Sequence, residues 1–229
     1  MDMDTAANLP GYGLALHTTS PQLGLAISDL NQNQKLAQEL TDSKIRSRTW
    51  NLDRDLSTHL HVLLQALLAP QNWSDLAFIA VAKGPGSFTG TRIGVATART
   101  LAQQLKIPLF AISTLAGIVA HQLENNPSQF PENQLIAVQL PARRGQYFVA
   151  IYQATATGLS PYLADTTMTE QDWEATLEKL SFPYQRIEAR QQELGETVSS
   201  ILKLADQQWQ QGERPQIEQA QPFYGQRPV

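Results

Sequence analysis

Two stretches of the 229-residue sequence carry residues able to contact an anion. Gly84, Gly86 and Ser87 stand in a glycine-rich turn before a predicted helix, and main-chain N–H groups at a helix start can bind phosphate. Thr18 and Thr19 supply hydroxyl groups after an apolar run near the beginning of the chain. These five residues are the predicted anion or nucleotide contacts.

The glycine-rich turn matches neither of the common phosphate-binding motifs. A Walker loop requires a lysine directly after its last glycine, and no lysine stands there. The dinucleotide motif requires a third glycine where this chain has Thr89. A turn with a purely structural role is therefore the competing interpretation.

Groups for catalysis and metal binding are scarce in the sequence. There is no cysteine, which excludes thiolate metal ligands and a cysteine nucleophile. His59 and His61 are two residues apart on a predicted helix, so their side chains point about 200° apart and cannot share one metal ion. We predict neither a catalytic residue nor a metal site.

The segments around the glycine-rich turn alternate between strand and helix patterns. Phe78–Ala82 is a short apolar run, which is typical of a strand buried on both faces. After the turn, Ser87 or Thr89 can cap a helix that extends to about Lys106, and Pro108 precedes a new strand. The order of strand, helix and strand predicts a βαβ unit.

The rest of the sequence extends this α/β organisation in both directions. Further strands are predicted over Gly13–Thr19, Leu23–Asp29, Lys44–Leu52, Leu109–Ser113, Leu135–Leu140, Tyr147–Gln153, Pro161–Thr169 and Gln185–Ala189. Helices are predicted over Asp53–Ala69, Thr114–Asn125, Glu170–Leu180 and Glu193–Gln211, and a polar loop over Asn31–Asp42. We expect a flexible leader over residues 1–10, a first α/β lobe over 11–112 and a second over 113–229. A return of the C-terminal tail to the first lobe is left open.

The helix after the glycine-rich turn carries small residues along one face. Gly90, Gly94 and Ala98 recur at helical spacing, and each glycine costs about 1 kcal/mol relative to alanine in a helix interior. Close approach of another backbone would offset this cost. That backbone belongs either to the chain's own sheet or to a helix of another subunit.

Composition limits the classes of partner. The net charge is −4, and no basic stripe of the kind that grips nucleic acid is present. No apolar run approaches the roughly 18 residues of a membrane span, and Met1–Pro10 does not resemble a signal peptide. We expect a cytoplasmic protein that does not bind RNA tightly by itself.

A longer motif connects the chain to a known family. The run G-P-G-S-F-T-G-T-R-I-G-V-A-T-A-R-T-L-A, which begins at Gly84, resembles the signature of the bacterial TsaB (YeaZ) proteins, and the resemblance extends more loosely over 14–153. It implies a two-lobed actin-like fold of the ASKHA, ribonuclease H-like class.

The resemblance also implies a function. TsaB proteins are non-catalytic scaffolds or activators, and they pair with a TsaD-like subunit that transfers a threonylcarbamoyl group to a tRNA adenosine next to the anticodon. A TsaE-like ATPase joins the assembly, ATP and metal are expected on the partner subunits, and tRNA is reached through the complex. A homodimer of the isolated chain is left open.

The family pairs through first-lobe helices, which gives the expected interface. Its residues here are Leu60, Leu63, Leu64, Gly90, Gly94, Thr97, Ala98 and Leu101. On this interpretation, Gly94→Leu abolishes partner binding and leaves the monomer largely folded.

One departure from the family bears on catalysis. Where the first strand of actin-like ATPases ends in an acidic residue, this chain has His17, and an imidazole is a poor ligand for Mg²⁺. The alternative function is a small ATP-binding kinase or ATPase of the same fold, which the turn at 84–90 and the hydroxyls of Thr18 and Thr19 motivate.

Overall fold

The computed structural model describes residues 11–30, 45–131, 134–155 and 158–225. The predicted leader over 1–10 and the predicted loop over Asn31–Asp42 lie outside these ranges. The strands are β1 Tyr12–His17, β2 Gln22–Asp29, β3 Ile45–Asn51, β4 Leu76–Ala82, β5 Leu109–Ile112, β6 Leu135–Pro141, β7 Gln146–Thr155, β8 Gly158–Thr169 and β9 Tyr184–Glu188. The α-helices are α1 Leu56–Leu68, α2 Phe88–Leu105, α3 Thr114–Asn125, α4 Glu170–Glu178 and α5 Val198–Gln210.

The first sheet has the strand order β3-β2-β1-β4-β5. β1 pairs antiparallel with β2 and parallel with β4, and β4 pairs parallel with β5. All seven residues of β4 are buried, as expected for a parallel strand covered on both faces. β3 alternates polar and charged residues and is largely exposed, so it forms the edge that its sequence predicts.

Helices cover both faces of the first sheet. Because side chains alternate along a strand, Leu14 and Leu16 of β1 lie in the core under α1 and α2. Ala15 lies in the opposite core, which α3 and α5 cover. The side of each helix that meets the sheet is therefore part of the interior of this chain.

The second sheet has the strand order β8-β7-β6-β9. One face is covered by α4, whose Trp173 is fully buried among residues of β6 and β7. The Trp173 indole N–H donates to Oε1 of the buried Gln139 at 2.7 Å, and Arg186 donates to the same oxygen at 2.6 Å. The other face shares its core with the first sheet.

The C-terminal part of the chain returns to the first sheet. α5 contacts β1, β2 and β4, and the buried Ala220 lies in the first-sheet core. The Phe223 N–H then donates to the carbonyl oxygen of Lys83 at 2.7 Å. The segment over 113–229 thus does not coincide with the second sheet, since its last helix packs on the first.

Candidate partner interface and interlobe cleft

The glycine-rich turn leads into α2 as the sequence predicts. The Ser87 hydroxyl accepts the N–H of Gly90 at 3.2 Å and caps the helix. Gly84 has φ of +101° and packs against the tail, where a Cβ would lie 2.4 Å from the carbonyl oxygen of Phe223. A Cβ at Gly86 would lie 2.2 Å from the carbonyl oxygen of Thr19. Both glycines are required by close packing of the chain on itself.

The helix glycines approach the chain's own Thr18, which directly follows β1. A Cβ on Gly90 would lie 2.1 Å from the carbonyl oxygen of Thr18, and a Cβ on Gly94 would lie 2.0 Å from its Oγ1. The Thr18 hydroxyl donates to the carbonyl oxygen of Gly90 at 2.8 Å. Of the two neighbours considered for the small-residue face, the structure places the chain's own sheet there.

This packing corrects the expected interface residues. Five of the eight lie in the interior of the chain and cannot reach a partner: Leu60, Leu64, Gly90, Gly94 and Ala98. Leu63, Thr97 and Leu101 are half-buried at the flanks of their helices. The expectation that Gly94→Leu leaves the monomer folded is wrong, because the leucine would displace the end of β1.

Most of the predicted anion contacts are also internal. Thr18 and Thr19 are fully buried, and the Thr19 hydroxyl lies 3.2 Å from the Thr114 hydroxyl. Gly84 is buried under the tail. Only Gly86 and Ser87 of the five line an open cavity.

That cavity is the cleft between the two lobes, with a volume of ≈ 900 Å³. It is lined by the start of α2, the segment before α1 and the turn between β6 and β7. Arg54 stands on the first-lobe side, and Arg143 and Arg144 stand on the second-lobe side. Tyr224 of the tail also lines the cleft and packs on the Phe88 ring with centroids 4.7 Å apart.

His17, at the position that is acidic in actin-like ATPases, is enclosed in the core. Its side chain is 0% exposed, and neither ring nitrogen has a hydrogen-bond partner among the described residues. Burial lowers the pKa of His17 from 6.5 to about 3, so the imidazole is neutral at physiological pH. It does not line the cleft.

The exposed surface of α1 and α2 carries few charges. Neither helix contains an acidic residue, and α2 contributes the exposed Arg92 and the half-buried Arg99. α1 contains no acidic or basic residue over its 13 positions apart from two histidines. Val62 is 66% exposed, and Ala66 beside it on the same helix is exposed as well. On α2 the exposed positions include Ala96 and Thr100. We call these four residues, together with the half-buried Leu63, Ile93 and Thr97, the outer face of α1 and α2.

The sequence of α1 has one feature that marks the outer face and that the spacing of its apolar residues does not show. A helix on the surface of a soluble protein normally carries charged residues on its solvent side. The run over 56–68 has none, and this absence, rather than the leucine and glycine stripes, marks the outer face.

In the described ranges, no helix combines the length and apolar character that crossing a membrane requires. The same part of the chain brings together no group of three or more His, Cys, Asp or Glu side chains that would suit a metal ion.

The two-sheet fold with a cleft between its lobes places the chain in the two-lobed actin-like class of α/β proteins, as expected. Comparison with known proteins narrows this class. The family model for TsaD, tRNA N6-adenosine threonylcarbamoyltransferase, matches residues 51–211. The tRNA threonylcarbamoyladenosine biosynthesis protein TsaB of Bacillus subtilis (strain 168) is 35% identical over 170 residues, which cover 74% of this chain and 67% of that protein. The Escherichia coli (strain K12) protein of the same name is 29% identical over 108 residues, covering 46% of this chain and 45% of its own.

A solved structure supports the same assignment at the level of fold. YeaZ from Pseudomonas aeruginosa superposes with a TM-score of 0.68 and 20% sequence identity, covering 93% of this chain and 99% of that one. The chain belongs to the TsaB family.

Proposed function

We propose that this chain is a non-catalytic scaffold and activator subunit. It pairs with a TsaD-like subunit, which transfers a threonylcarbamoyl group to an adenosine of tRNA. Membership in the TsaB family supports a part in tRNA threonylcarbamoyladenosine biosynthesis. The outer face of α1 and α2 supports the role of a subunit that acts by binding a partner. The observation that carries the proposal is the charge-free surface of α1 with Val62 66% exposed.

The residues that form the outer face are all uncharged. Charged residues are depleted where protein surfaces meet, and small side chains such as Ala66 and Ala96 let a second helix approach closely. An exposed apolar surface on two adjacent helices is costly in water unless a partner covers it. The TsaD-like subunit is the proposed partner on this face.

The same face suits pairing of the isolated chain with itself. The family model that matches this chain is that of the transferase, so the two proteins share this part of the fold. A homodimer and a heterodimer can then use equivalent helices around a true or approximate two-fold axis. We propose that the TsaD-like subunit replaces a second copy of this chain.

The remaining components belong to the partners in this proposal. ATP and metal bind the partner subunits, a TsaE-like ATPase joins the assembly, and tRNA is reached through the complex in the cytoplasm. Within the chain, Thr18 and Thr19 are committed to internal contacts and His17 is enclosed. These positions do not favour the alternative of an autonomous kinase or ATPase.

Binding measurements with the purified TsaD-like protein from the same organism test the proposal. Val62→Arg and Ala96→Arg each place a charge in the proposed interface, and burying an unpaired charge should weaken binding by about 2 kcal/mol or more, roughly 30-fold. Gln171→Arg on the exposed side of α4 is the matched control and should bind as the wild type does. Equal affinity for all three variants would place the partner on another surface.

A further inference from the structure

A second cavity lies where the two sheets meet, and its volume is ≈ 390 Å³. It shares no lining residue with the interlobe cleft. Its walls come from the ends of β4 and β5, the start of α3, strands β7 and β8, α5 and the tail. The apolar wall residues are Ala111, Ile112, Ala116, Leu159, Pro161, Ala164, Leu204 and Phe223. We call this space the Asp165 pocket.

Asp165 is held in the pocket by two hydroxyl donors. The Ser113 hydroxyl donates to Oδ2 at 2.5 Å, and the Tyr152 hydroxyl donates to Oδ1 at 2.7 Å. The Ser113 oxygen also accepts the N–H groups of Leu115 and Ala116 at the start of α3. Because these N–H groups occupy its lone pairs, the Ser113 proton is directed at Asp165, and the carboxylate is fixed in position.

Tyr152 reinforces this arrangement. Burial raises the pKa of the Tyr152 phenol, and the neighbouring Asp165 carboxylate raises it further. The phenol therefore keeps its proton at physiological pH and remains a donor to the carboxylate. Both donors are neutral, so the negative charge of Asp165 is oriented but not compensated.

A positive charge lines the same pocket without pairing with Asp165. Lys83 contributes to the lining, and its main chain is fixed because its N–H donates to Ile112 and its carbonyl oxygen accepts from Phe223. No ion pair within 4.0 Å joins Lys83 to Asp165 in the described part of the chain. The pocket thus has the Asp165 carboxylate, a lysine among its lining residues and apolar walls.

We propose that the Asp165 pocket binds a small zwitterion with an apolar body, of the chemical class of a branched-chain α-amino acid. The ligand's ammonium group pairs with Asp165, its carboxylate pairs with Lys83, and its apolar part contacts Leu159, Leu204 and Phe223. Charged groups withdrawn from water are stabilised by a partner of opposite sign, and such a ligand supplies both partners at once. The pocket volume is in the range of about 300–1,000 Å³ that is usual for small-molecule sites. This site is independent of the partner interface proposed above.

Three probes of similar shape separate the two charges. L-leucine carries both, isoamylamine lacks the carboxylate, and isocaproate lacks the ammonium group. Amide chemical shifts of the isotope-labelled full chain are followed by NMR during each titration. L-leucine should give saturable shifts around Lys83, Ser113 and Asp165, and each single-charge probe should bind at least about tenfold more weakly.

Substitutions at Asp165 and Lys83 then test which residue binds the ammonium group of the ligand and which binds its carboxylate. Asp165→Asn keeps the shape of the side chain and should lower the affinity for L-leucine at least about tenfold. Lys83→Met should lower the affinity for L-leucine by a similar factor and leave isoamylamine binding unchanged. Glu178→Gln removes an exposed carboxylate of α4 outside the pocket and should leave every affinity unchanged.

Two results would overturn the proposal. One is the absence of saturable shifts with L-leucine in the wild-type protein. The other is equal affinity of L-leucine for the wild type, Asp165→Asn and Lys83→Met. If the NMR spectrum shows that Asp165→Asn does not fold, the Lys83→Met result and the three probes on the wild type still test whether the Asp165 pocket binds a zwitterion.

Discussion

Replacing His17 with leucine should remove a large part of the acid sensitivity of the protein. Burial lowers the pKa of His17 from 6.5 to about 3 in the folded chain, whereas the unfolded chain keeps the ordinary value. Between these two values the unfolded state binds a proton that the folded state does not. Folding stability therefore rises with pH across this window, is fully present above pH 6.5 and is lost progressively as the pH falls toward 3.

The magnitude follows from the width of the window. One pH unit between the two pKa values corresponds to about 1.4 kcal/mol. From pH 6.5 down to about pH 5, the His17 contribution to the free energy of unfolding should thus fall by roughly 2 kcal/mol. In His17→Leu this contribution is absent, and the loss of two unpaired buried nitrogens should leave stability at neutral pH equal or higher.

Denaturant unfolding curves at neutral pH and at about pH 5 measure the difference. The comparison is between the wild type and His17→Leu, because other groups that titrate contribute equally to both. Gln65→Leu, at an exposed residue of α1 that does not titrate, is the control and should retain the wild-type pH dependence. Parallel pH dependence of the wild type and His17→Leu would refute the assignment of His17 to a water-free site.

Three further predictions test the packing of the first lobe and of the second sheet. Gly94→Ala should destabilise the protein by about 1–3 kcal/mol, because its Cβ meets Thr18; Ala96→Ser, on the exposed side of the same helix, should leave the melting temperature nearly unchanged. A melting temperature of Gly94→Ala equal to the wild type would contradict this packing. Ser87→Ala removes the α2 cap and should cost about 1 kcal/mol in denaturant unfolding, and no loss would mean that the cap is not formed. Trp173→Phe removes the hydrogen bond to Gln139 and should cost about 1–3 kcal/mol, whereas a neutral result would show that the indole N–H is not paired there.

The parts of the fold that local sequence determines were predictable. The apolar run of β4, the glycine-rich turn and the Ser87 cap specify a strand, a turn and a helix within one short segment. The polar alternation of β3 likewise indicated an edge strand. The first long helix was also predicted, although its opening residues, Asp53–Asp55, form a 3-10 turn.

What covers each helix face could not be read from the sequence. Helical spacing shows that Gly90, Gly94 and Ala98 share a face, but it does not show whether a sheet or a subunit lies against that face. The glycines mark the approach of Thr18, which is 72 positions from Gly90 along the chain. The helical pattern therefore points to the inner side of α1 and α2, whereas the partner surface that we propose lies on their outer side.

The Asp165 pocket was equally beyond sequence reasoning. Ser113 and Asp165 are 52 positions apart, and Tyr152 is 39 positions from Ser113. No motif of fixed spacing connects them, since they meet only through the pairing of β7 with β8 and the packing of α3. The return of α5 to the first sheet is a tertiary contact of the same kind.

Reconstituted threonylcarbamoyl transfer to tRNA tests directly whether this chain is a non-catalytic activator of the TsaD-like subunit. The TsaD-like and TsaE-like proteins of the same organism are assayed with and without this chain, and with Val62→Arg in its place. Transfer should require the wild-type chain, Val62→Arg should support it poorly at limiting concentration, and the chain alone should transfer nothing. Full transfer in the absence of the chain, or transfer by the chain alone, would contradict its role as a non-catalytic activator.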